Sequence, residues 1–292
     1  MELDPLKIIL NSKNWNDFEN SLSKLNFSSD SNKIKGDAFE YLTKYLLKSD
    51  PLYSSGLKQV YHHSELPLNI REELKLPHPE IGVDLIAEFD DNSYWAIQCK
   101  FHQNPYENVS YDEVKTFFSI TERHETNSKL KHRLICTSAN KVTDRVRKIH
   151  PHKLGFLTRH DYTSIDKENF EQIHSLILGN KPVLKPLKPR QHQIKAISET
   201  NNYFETKDRG KIIHPCGSGK SLTAYWIAKD ISAKNILIAV PSLALVRQTL
   251  NAWSKQATAD QTPIEYIAVC SDQDVAQADD PIVSSHDLGI SV

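Results

Sequence analysis

The 292-residue sequence has few cysteines, no long apolar run and almost no net charge. Its four cysteines lie far apart without a C-x-x-C pair, which argues against a zinc ribbon or a disulfide framework and favours a reducing compartment. No apolar run approaches the roughly 18–20 residues that a membrane-spanning helix needs. The first residues, MELDPLKIIL, include acidic side chains and do not form a secretory signal. We therefore expect a cytoplasmic globular protein of about two domains that does not associate with membranes.

The near-zero net charge gives no overall attraction to nucleic acid, because 36 Lys and Arg residues are balanced by 37 Asp and Glu residues. The charges are nevertheless distributed unevenly along the chain. Between residues 128 and 160 a single acid, Asp144, accompanies nine basic residues: Lys129, Lys131, Arg133, Lys141, Arg145, Arg147, Lys148, Lys153 and Arg159. This stretch could bind a phosphate backbone, or it could be an ordinary solvated surface.

A proline-rich segment divides the chain near residue 180. Residues 179–190 hold three prolines and four basic residues and show neither helical nor strand periodicity, which predicts a stiff, exposed connector. We place a first domain at residues 1–175, the connector at 176–190 and a second domain at 191–292. Strands alternate with helices on both sides of it, which predicts α/β layering, with a largely parallel sheet in the second domain.

The periodicity of apolar residues predicts the individual elements. Helices are expected at residues 35–47, 112–124, 142–150 and 191–201, from 220 onward, and at 243–256. Strands are expected at residues 82–89, 94–101, 133–137, 211–214, 236–240 and 267–272.

Three polar residues on two neighbouring strands could form a catalytic group. Residues two apart in a strand point the same way, so Gln98 and Lys100 share a face. A three-residue turn at 90–92 with a left-handed last residue would place Asp84 opposite Gln98, whereas a loop of even length would turn it to the wrong face. A carboxylate, an amide oxygen and an ammonium group would then converge, which suits Mg²⁺ and phosphoryl chemistry. The same residues could instead form a polar edge hairpin without a catalytic role.

The order of three segments resembles the Mrr-like branch of the PD-(D/E)xK nucleases, in which Gln commonly replaces the middle Glu of the motif. The segments are Gly36-x-x-Phe39-Glu40 on a helix, Gly82-Val83-Asp84, and Trp95-Ala96-Ile97-Gln98-Cys99-Lys100. The resemblance covers roughly residues 30–165 and implies a restriction-endonuclease-like α/β/α domain that cuts DNA with Mg²⁺. It implies that Asp84 is a metal ligand, Gln98 the second ligand position and Lys100 the catalytic lysine, while Glu40 supports the metal. Gln in place of Glu removes one negative charge, which implies weaker metal binding.

The segment Pro215-Cys-Gly-Ser-Gly-Lys-Ser221 has the features of a phosphate-binding loop between a strand and a helix. Its glycines let the backbone approach phosphates, its lysine can reach the β- and γ-phosphates, and its last hydroxyl can bind Mg²⁺. The expected nucleotide contacts in this loop are Gly217, Ser218, Gly219, Lys220 and Ser221, with Ser221 also a metal ligand. His214 stands where the full pattern has a first Gly.

Two flanking segments resemble superfamily-two helicases. Residues 190–197 resemble the adenine-reading motif, which implies that Gln193 binds adenine with Arg190 nearby, and residues 239–248 resemble motif Ia, which contacts the DNA backbone. The resemblance implies the N-terminal part of a RecA-like parallel-sheet domain that uses ATP and Mg²⁺ on double-stranded DNA. Since no DEAD/DEAH-type motif precedes Val292, we expect an incomplete ATPase motor, in either a fragment of a longer polypeptide or a truncated gene product.

Together these segments resemble restriction enzymes in which a nuclease is fused to a helicase-type translocase, especially those of type ISP and also those of type III. The implied function is a Mg²⁺-dependent, type II-like deoxyribonuclease module on an ATP-dependent translocase, acting in restriction or defence against foreign DNA. One alternative is a helicase-associated DNA-binding domain without nuclease activity. Another is a P-loop NTPase or kinase with an unrelated N-terminal module. Methyltransferase or specificity domains are further candidate partners, either in the rest of a longer polypeptide or in partner subunits.

Overall fold

The computed structural model describes residues 4–25, 29–54, 56–77, 82–123, 126, 128–149, 154–181, 184–262 and 264–266. The chain divides into two compact units, and the division lies between Pro182 and Val183, inside the segment 176–190. Within the described ranges, no helix is both long and apolar enough to cross a membrane. The strand expected at 267–272 lies outside the described residues.

A five-stranded mixed sheet forms the centre of the first unit, as the predicted α/β class requires. The first three strands in spatial order pair antiparallel, and the last three pair parallel. In spatial order they are β1 (Leu57–His62), β2 (Leu85–Phe89), β3 (Tyr94–Lys100), β5 (Leu130–Thr137) and β7 (Leu154–Leu157). Neither β1 nor β7 was expected from the sequence, and β5 begins three residues earlier than expected.

The turn between β2 and β3 has the expected length and register. Leu85 lies opposite Ile97, so the next position on each strand is Asp84 and Gln98. The N–H of Phe89 donates to the carbonyl oxygen of Ser93 at 3.0 Å, which closes a three-residue turn at 90–92. The last residue of this turn has φ +60°, a left-handed conformation that Asn tolerates better than most residues. This prediction is confirmed.

Helices cover both faces of the sheet. The helices on one face include several that contribute to an aromatic cluster, in which Phe39 and Tyr162 have ring centroids 4.9 Å apart. They are α1 (Pro5–Leu10), α2 (Trp15–Ser23), α3 (Ser29–Ser49), α4 (Pro51–Ser54), α8 (Arg159–Thr163) and α9 (Lys167–Ile177). On the other face α5 (Leu68–Glu73) and α6 (Tyr111–Thr121) bury residues such as Ile70 and Phe117 against the sheet. The first unit is thus an α/β/α sandwich.

The helix expected at 142–150 is largely wrong. Val142 belongs to a short strand, β6 (Lys141–Val142), which pairs in parallel with β4 (Asn108–Val109). The N–H of Thr143 continues this pairing by donating to Val109 at 3.0 Å. Only α7 (Asp144–Arg147) is helical in this segment. Val142 fits the spacing of apolar residues in a helix, but it pairs with β4 instead. The local sequence does not reveal this strand partner.

The second unit contains three helices close to those expected, α10 (Gln191–Phe204), α11 (Lys220–Asp230) and α12 (Leu243–Ala259). Tyr225 and Trp253 pack α11 against α12 with ring centroids 5.4 Å apart. The strands expected at 211–214 and 236–240 are wrong, because neither segment has a strand partner within the described residues. Ile213 and Leu237 are 79% and 96% exposed, so the apolar side chains that suggested strands find no second layer there.

Candidate functional site

Asp84 lies immediately before β2, and its main chain is held by the strands on either side. Its N–H donates to the carbonyl oxygen of Ile97 on β3 at 3.0 Å, and its own carbonyl oxygen accepts from the N–H of His63 at 2.9 Å. The residue is 6% exposed. The position of this carboxylate is therefore set by the sheet rather than by a flexible loop.

The Asp84 carboxylate contacts the strand that carries the other two expected residues. Its Oδ2 accepts hydrogen bonds from Nε2 of Gln98 and from the main-chain N–H of Cys99. Since β2 begins only at Leu85, the carboxylate replaces a strand neighbour for this N–H. The sequence suggested that the amide oxygen of Gln98 would face the site, whereas the structure places the amide nitrogen there. A half-turn of the terminal amide would exchange the two atoms.

Lys100 follows on the same strand and is partly exposed. Its carbonyl oxygen accepts from the N–H of Ser138 at 3.2 Å and from Oγ1 of Thr137 at 2.9 Å, which fixes the main chain at this end of β3. Its ammonium group has no hydrogen bond or ion pair with any residue of the described ranges. Asp84, Gln98 and Lys100 thus lie at one end of the β2–β3 hairpin, and the ammonium can reach a ligand placed there.

Glu40 on α3 contacts a residue that the sequence analysis missed. Its Oε2 lies 2.8 Å from Nε2 of His62, the last residue of β1. Nδ1 of the same ring lies 2.6 Å from Oγ of Ser64, and the ring stacks on Tyr41 with centroids 4.9 Å apart. Because His62 lies opposite Leu85, this pair adjoins the main chain of Asp84. Only the missed strand β1 could have indicated it.

Electrostatics also relate Glu40 to Asp84. Burial raises the pKa of the Cys99 thiol, and so do the neighbouring Cys136 thiol and, in smaller measure, the charges of Asp84 and Glu40. Both carboxylates therefore act on one buried group. One turn before Glu40, burial raises the pKa of Asp37, and the charge of Glu40 raises it further. Asp37, which the sequence analysis also missed, is thus a second carboxylate on this face of α3.

The available donors fit a hard cation. Across the described part of the chain, no group of three or more His, Cys, Asp or Glu side chains is arranged to hold a metal ion. Asp84, Glu40 and Gln98 offer oxygen atoms from two carboxylates and one amide instead. Mg²⁺ prefers oxygen ligands and commonly keeps several of its waters, so a small protein ligand set suits it.

The phosphate loop in the second unit has the backbone expected of it. Gly217 and Gly219 have φ +76° and +80°, values that residues with a Cβ rarely adopt, and α11 begins at Lys220. Nζ of Lys220 donates to two carbonyl oxygens of the same loop, those of His214 at 3.4 Å and Pro215 at 3.3 Å. These weak contacts are ones that a phosphate oxygen could replace.

Ser221 and Gln193 show how the loop could hold a nucleotide with Mg²⁺. Oγ of Ser221 is buried and has no hydrogen-bond partner in the described structure, so a ligand could satisfy it. Nε2 of Gln193 donates to the Gly219 carbonyl oxygen at 3.2 Å and to Oγ1 of Thr223 at 3.1 Å, and its Oε1 accepts from the N–H of Arg190 at 2.8 Å. Gln193 therefore supports the loop, and its contact with adenine stays a prediction.

The basic stretch at 128–160 does not form one continuous surface. Arg133 is 2% exposed and its guanidinium donates to the side chain and main chain of Thr121. Three further residues pair with acids: Lys129 with Glu73, Lys131 with Asp91, and Arg159 with Glu19. Among the described residues of the stretch, Lys141, Arg145 and Lys148 are exposed without an acid partner, while Lys129 and Lys131 are exposed but ion-paired. Binding of a phosphate backbone by this stretch stays a prediction.

Comparison with known proteins finds a different family match for each part of the chain. Residues 48–174 match a family described as "Restriction endonuclease", and residues 186–286 match one described as "Type III restriction enzyme, res subunit". The first match includes Asp84, Gln98 and Lys100, and the second includes the phosphate loop. No curated protein matches the chain at a significant level.

Among solved structures, an ATP-dependent type ISP restriction-modification enzyme, LlaBIII, bound to DNA is similar over 84% of the chain, with 26% identity and a TM-score of 0.62. The chain spans 15% of that enzyme. A protein of unknown function, AF1548, is 13% identical with a TM-score of 0.30, over 76% of this chain and 99% of that one, too distant a likeness to bear on function. The chain thus carries a restriction endonuclease domain followed by a helicase-like domain of the type III restriction enzyme res-subunit family.

Proposed function

We propose that the first unit is a Mg²⁺-dependent DNA endonuclease module of a cytoplasmic restriction system, joined to an ATP-dependent translocase that acts on the same double-stranded DNA. The observation that carries the proposal is the buried carboxylate of Asp84, which is hydrogen-bonded to Gln98 at the end of β3 that also carries Lys100. The similarity to a DNA-bound type ISP enzyme supports DNA as the substrate and restriction as the role.

Each residue of the candidate nuclease site has a distinct task in this proposal. Asp84 and Glu40 would supply carboxylate oxygens to Mg²⁺, and Gln98 would turn its amide oxygen toward the same ion. Mg²⁺ bound there would polarise the scissile phosphate and make a bound water a better nucleophile. Lys100 would donate to the oxygen on which negative charge develops, or orient the attacking water.

In the second unit, the proposal assigns ATP binding to the phosphate loop. Lys220 would leave the carbonyl oxygens of His214 and Pro215 for the β- and γ-phosphates. The amide groups of Gly217, Ser218 and Gly219 would line the same phosphates. Ser221 would contribute its buried hydroxyl to Mg²⁺.

Cleavage of supercoiled plasmid by the purified chain in Mg²⁺ tests the nuclease assignment. Lys100→Ala should reduce the rate by about 10²–10³-fold, the usual cost of losing one group that stabilises transition-state charge. Lys131→Ala is the matched control. Lys131 lies in the first half of β5, away from the end next to Lys100, and it pairs with Asp91.

Two outcomes would contradict the assignment. Equal cleavage by the wild type and Lys100→Ala would show that Lys100 is not catalytic. Binding of DNA without cleavage in either Mg²⁺ or Mn²⁺ would favour a DNA-binding module instead.

A further inference from the structure

His62 connects the helix that carries Glu40 to the strand next to Asp84. It ends β1, where it lies opposite Leu85, and it is 9% exposed. Its Nε2 lies 2.8 Å from Oε2 of Glu40, and its Nδ1 lies 2.6 Å from Oγ of Ser64. Both ring nitrogens are therefore engaged by defined partners.

The main chain of Ser64 determines which ring nitrogen carries the proton. Its N–H points to Nδ1 of His62 at 3.3 Å, and an amide N–H can only donate. This contact favours Nδ1 as an acceptor and a proton on Nε2. The Nε2–H then donates to Oε2 of Glu40.

This arrangement orients one oxygen of Glu40 and leaves the other for a ligand. The imidazole cannot itself swing, because its ring stacks on Tyr41 with an interplanar angle of 13° while Ser64 holds the opposite nitrogen. A general base would need an unprotonated nitrogen facing a water, and in His62 the only such nitrogen faces Ser64. The geometry therefore suits positioning rather than proton transfer.

We infer that His62 is a positioning residue of the nuclease site, which donates its Nε2–H to Glu40 and holds that carboxylate in place for the cation shared with Asp84 and Gln98. The inference rests on the proposed nuclease function and adds a residue to it. Hydrogen-bond partners of metal-binding carboxylates typically contribute about 10–100-fold to metal affinity or activity.

The tautomer can be tested without any enzymatic assay. Long-range ¹H–¹⁵N spectra of the full chain in EDTA distinguish Nε2–H from Nδ1–H histidines, and His62→Gln identifies the signals. We expect a proton on Nε2 of His62. A ring whose only proton lies on Nδ1 would overturn the inference, because Nε2 could then not donate to Glu40.

Metal binding is tested by calorimetric titration of the DNA-free chain with Mn²⁺, and by the Mg²⁺ concentration that gives half-maximal cleavage. His62→Ala should weaken both by about 10–100-fold, with a much smaller change in cleavage rate at saturating Mg²⁺. His62→Gln should restore most of the affinity, because its amide N–H reaches the place of Nε2. His62→Asn reaches only the place of Nδ1 and should behave like alanine.

Two further variants separate positioning from general stability. Ser64→Ala keeps the main-chain donor to Nδ1 and should change metal affinity far less than His62→Ala. In a Glu40→Gln background, His62→Ala should weaken Mn²⁺ binding no further, because the group it positions has already changed. Equal losses for the Gln and Asn variants, or additive losses in the double variant, would overturn the inference.

The failure of this inference can be distinguished from the failure of the proposed function. If Lys100→Ala is inactive while His62→Ala keeps wild-type affinity for both metals, the nuclease stands and the positioning role falls. If Lys100→Ala cuts as well as the wild type, the proposed function falls and the role of His62 falls with it.

Discussion

Replacing Asp84 by alanine should destabilise the first unit, whereas replacing it by asparagine should not. Oδ2 of Asp84 accepts from the Gln98 amide and from the Cys99 N–H in surroundings that leave Asp84 6% exposed. Alanine removes this acceptor from both donors, and each unsatisfied buried donor costs about 1–3 kcal/mol. The total loss of about 2–6 kcal/mol is a large part of the 5–15 kcal/mol that typically stabilises a domain.

Asparagine keeps an oxygen in the position that receives the Cys99 N–H. The same oxygen can also accept from Nε2 of Gln98, so both contacts survive without a rearrangement. The substitution also removes a charge whose burial opposes folding. We therefore expect the free energy of unfolding of Asp84→Asn to lie within about 1 kcal/mol of the wild-type value. Both variants lose a proposed metal ligand and should not cut DNA.

Urea unfolding followed by tryptophan fluorescence measures the global effect. Hydrogen exchange of the Cys99 amide, followed by mass spectrometry, measures the local one. The alanine variant should unfold at lower urea and exchange this amide faster, while the asparagine variant stays near the wild type in both. If the two variants unfold at the same urea concentration, or if the amide exchanges equally in both, the carboxylate does not have the structural role described here.

Two other predictions concern single substitutions elsewhere. Gly82→Ala should destabilise the first unit by about 1–3 kcal/mol more than the control Gly56→Ala in urea unfolding. Both glycines have positive φ, but a Cβ at Gly82 would lie 3.0 Å from the Phe117 nitrogen, while Gly56 has nothing within 4 Å; equal losses would contradict this. Ser221→Ala should leave unfolding unchanged, since the hydroxyl has no partner in the described structure, but should weaken binding of a fluorescent ATP analogue in Mg²⁺ and not in EDTA. Unaltered binding in Mg²⁺ would remove Ser221 from the proposed metal site.

The hairpin that carries the candidate nuclease site could be predicted because its determinants are local. A left-handed Asn92 sets the turn, and strand alternation then sets which residues face Asp84. The phosphate loop is local in the same sense, since glycines at 217 and 219 supply the positive φ values.

The rest of the site depends on contacts between distant segments. His62 meets Glu40 only because β1 pairs with β2 beneath α3, and the polar sequence of β1 gives little sign of a strand. The charge pattern counted Arg133 among the surface cations, but its guanidinium is buried and donates to Thr121. The strands expected at 211–214 and 236–240 show the converse, because apolar residues specify a strand only where a neighbour can pair with it.

The hydrogen bond from Gln98 to Asp84 has a consequence for how readily the proposed site would load with metal. The amide nitrogen of Gln98 donates to the Asp84 oxygen that a cation would approach. The Gln98 amide would therefore compete with Mg²⁺ for this oxygen. A hydrogen bond to a charged group contributes about 1.5–3 kcal/mol, and each 1.4 kcal/mol corresponds to a factor of ten in affinity. Displacing the amide would therefore lower the apparent affinity by about 10–100-fold. Such a site would bind little Mg²⁺ at low free Mg²⁺ concentration. A DNA phosphate that adds its own oxygen to the ion would favour metal binding when the substrate binds.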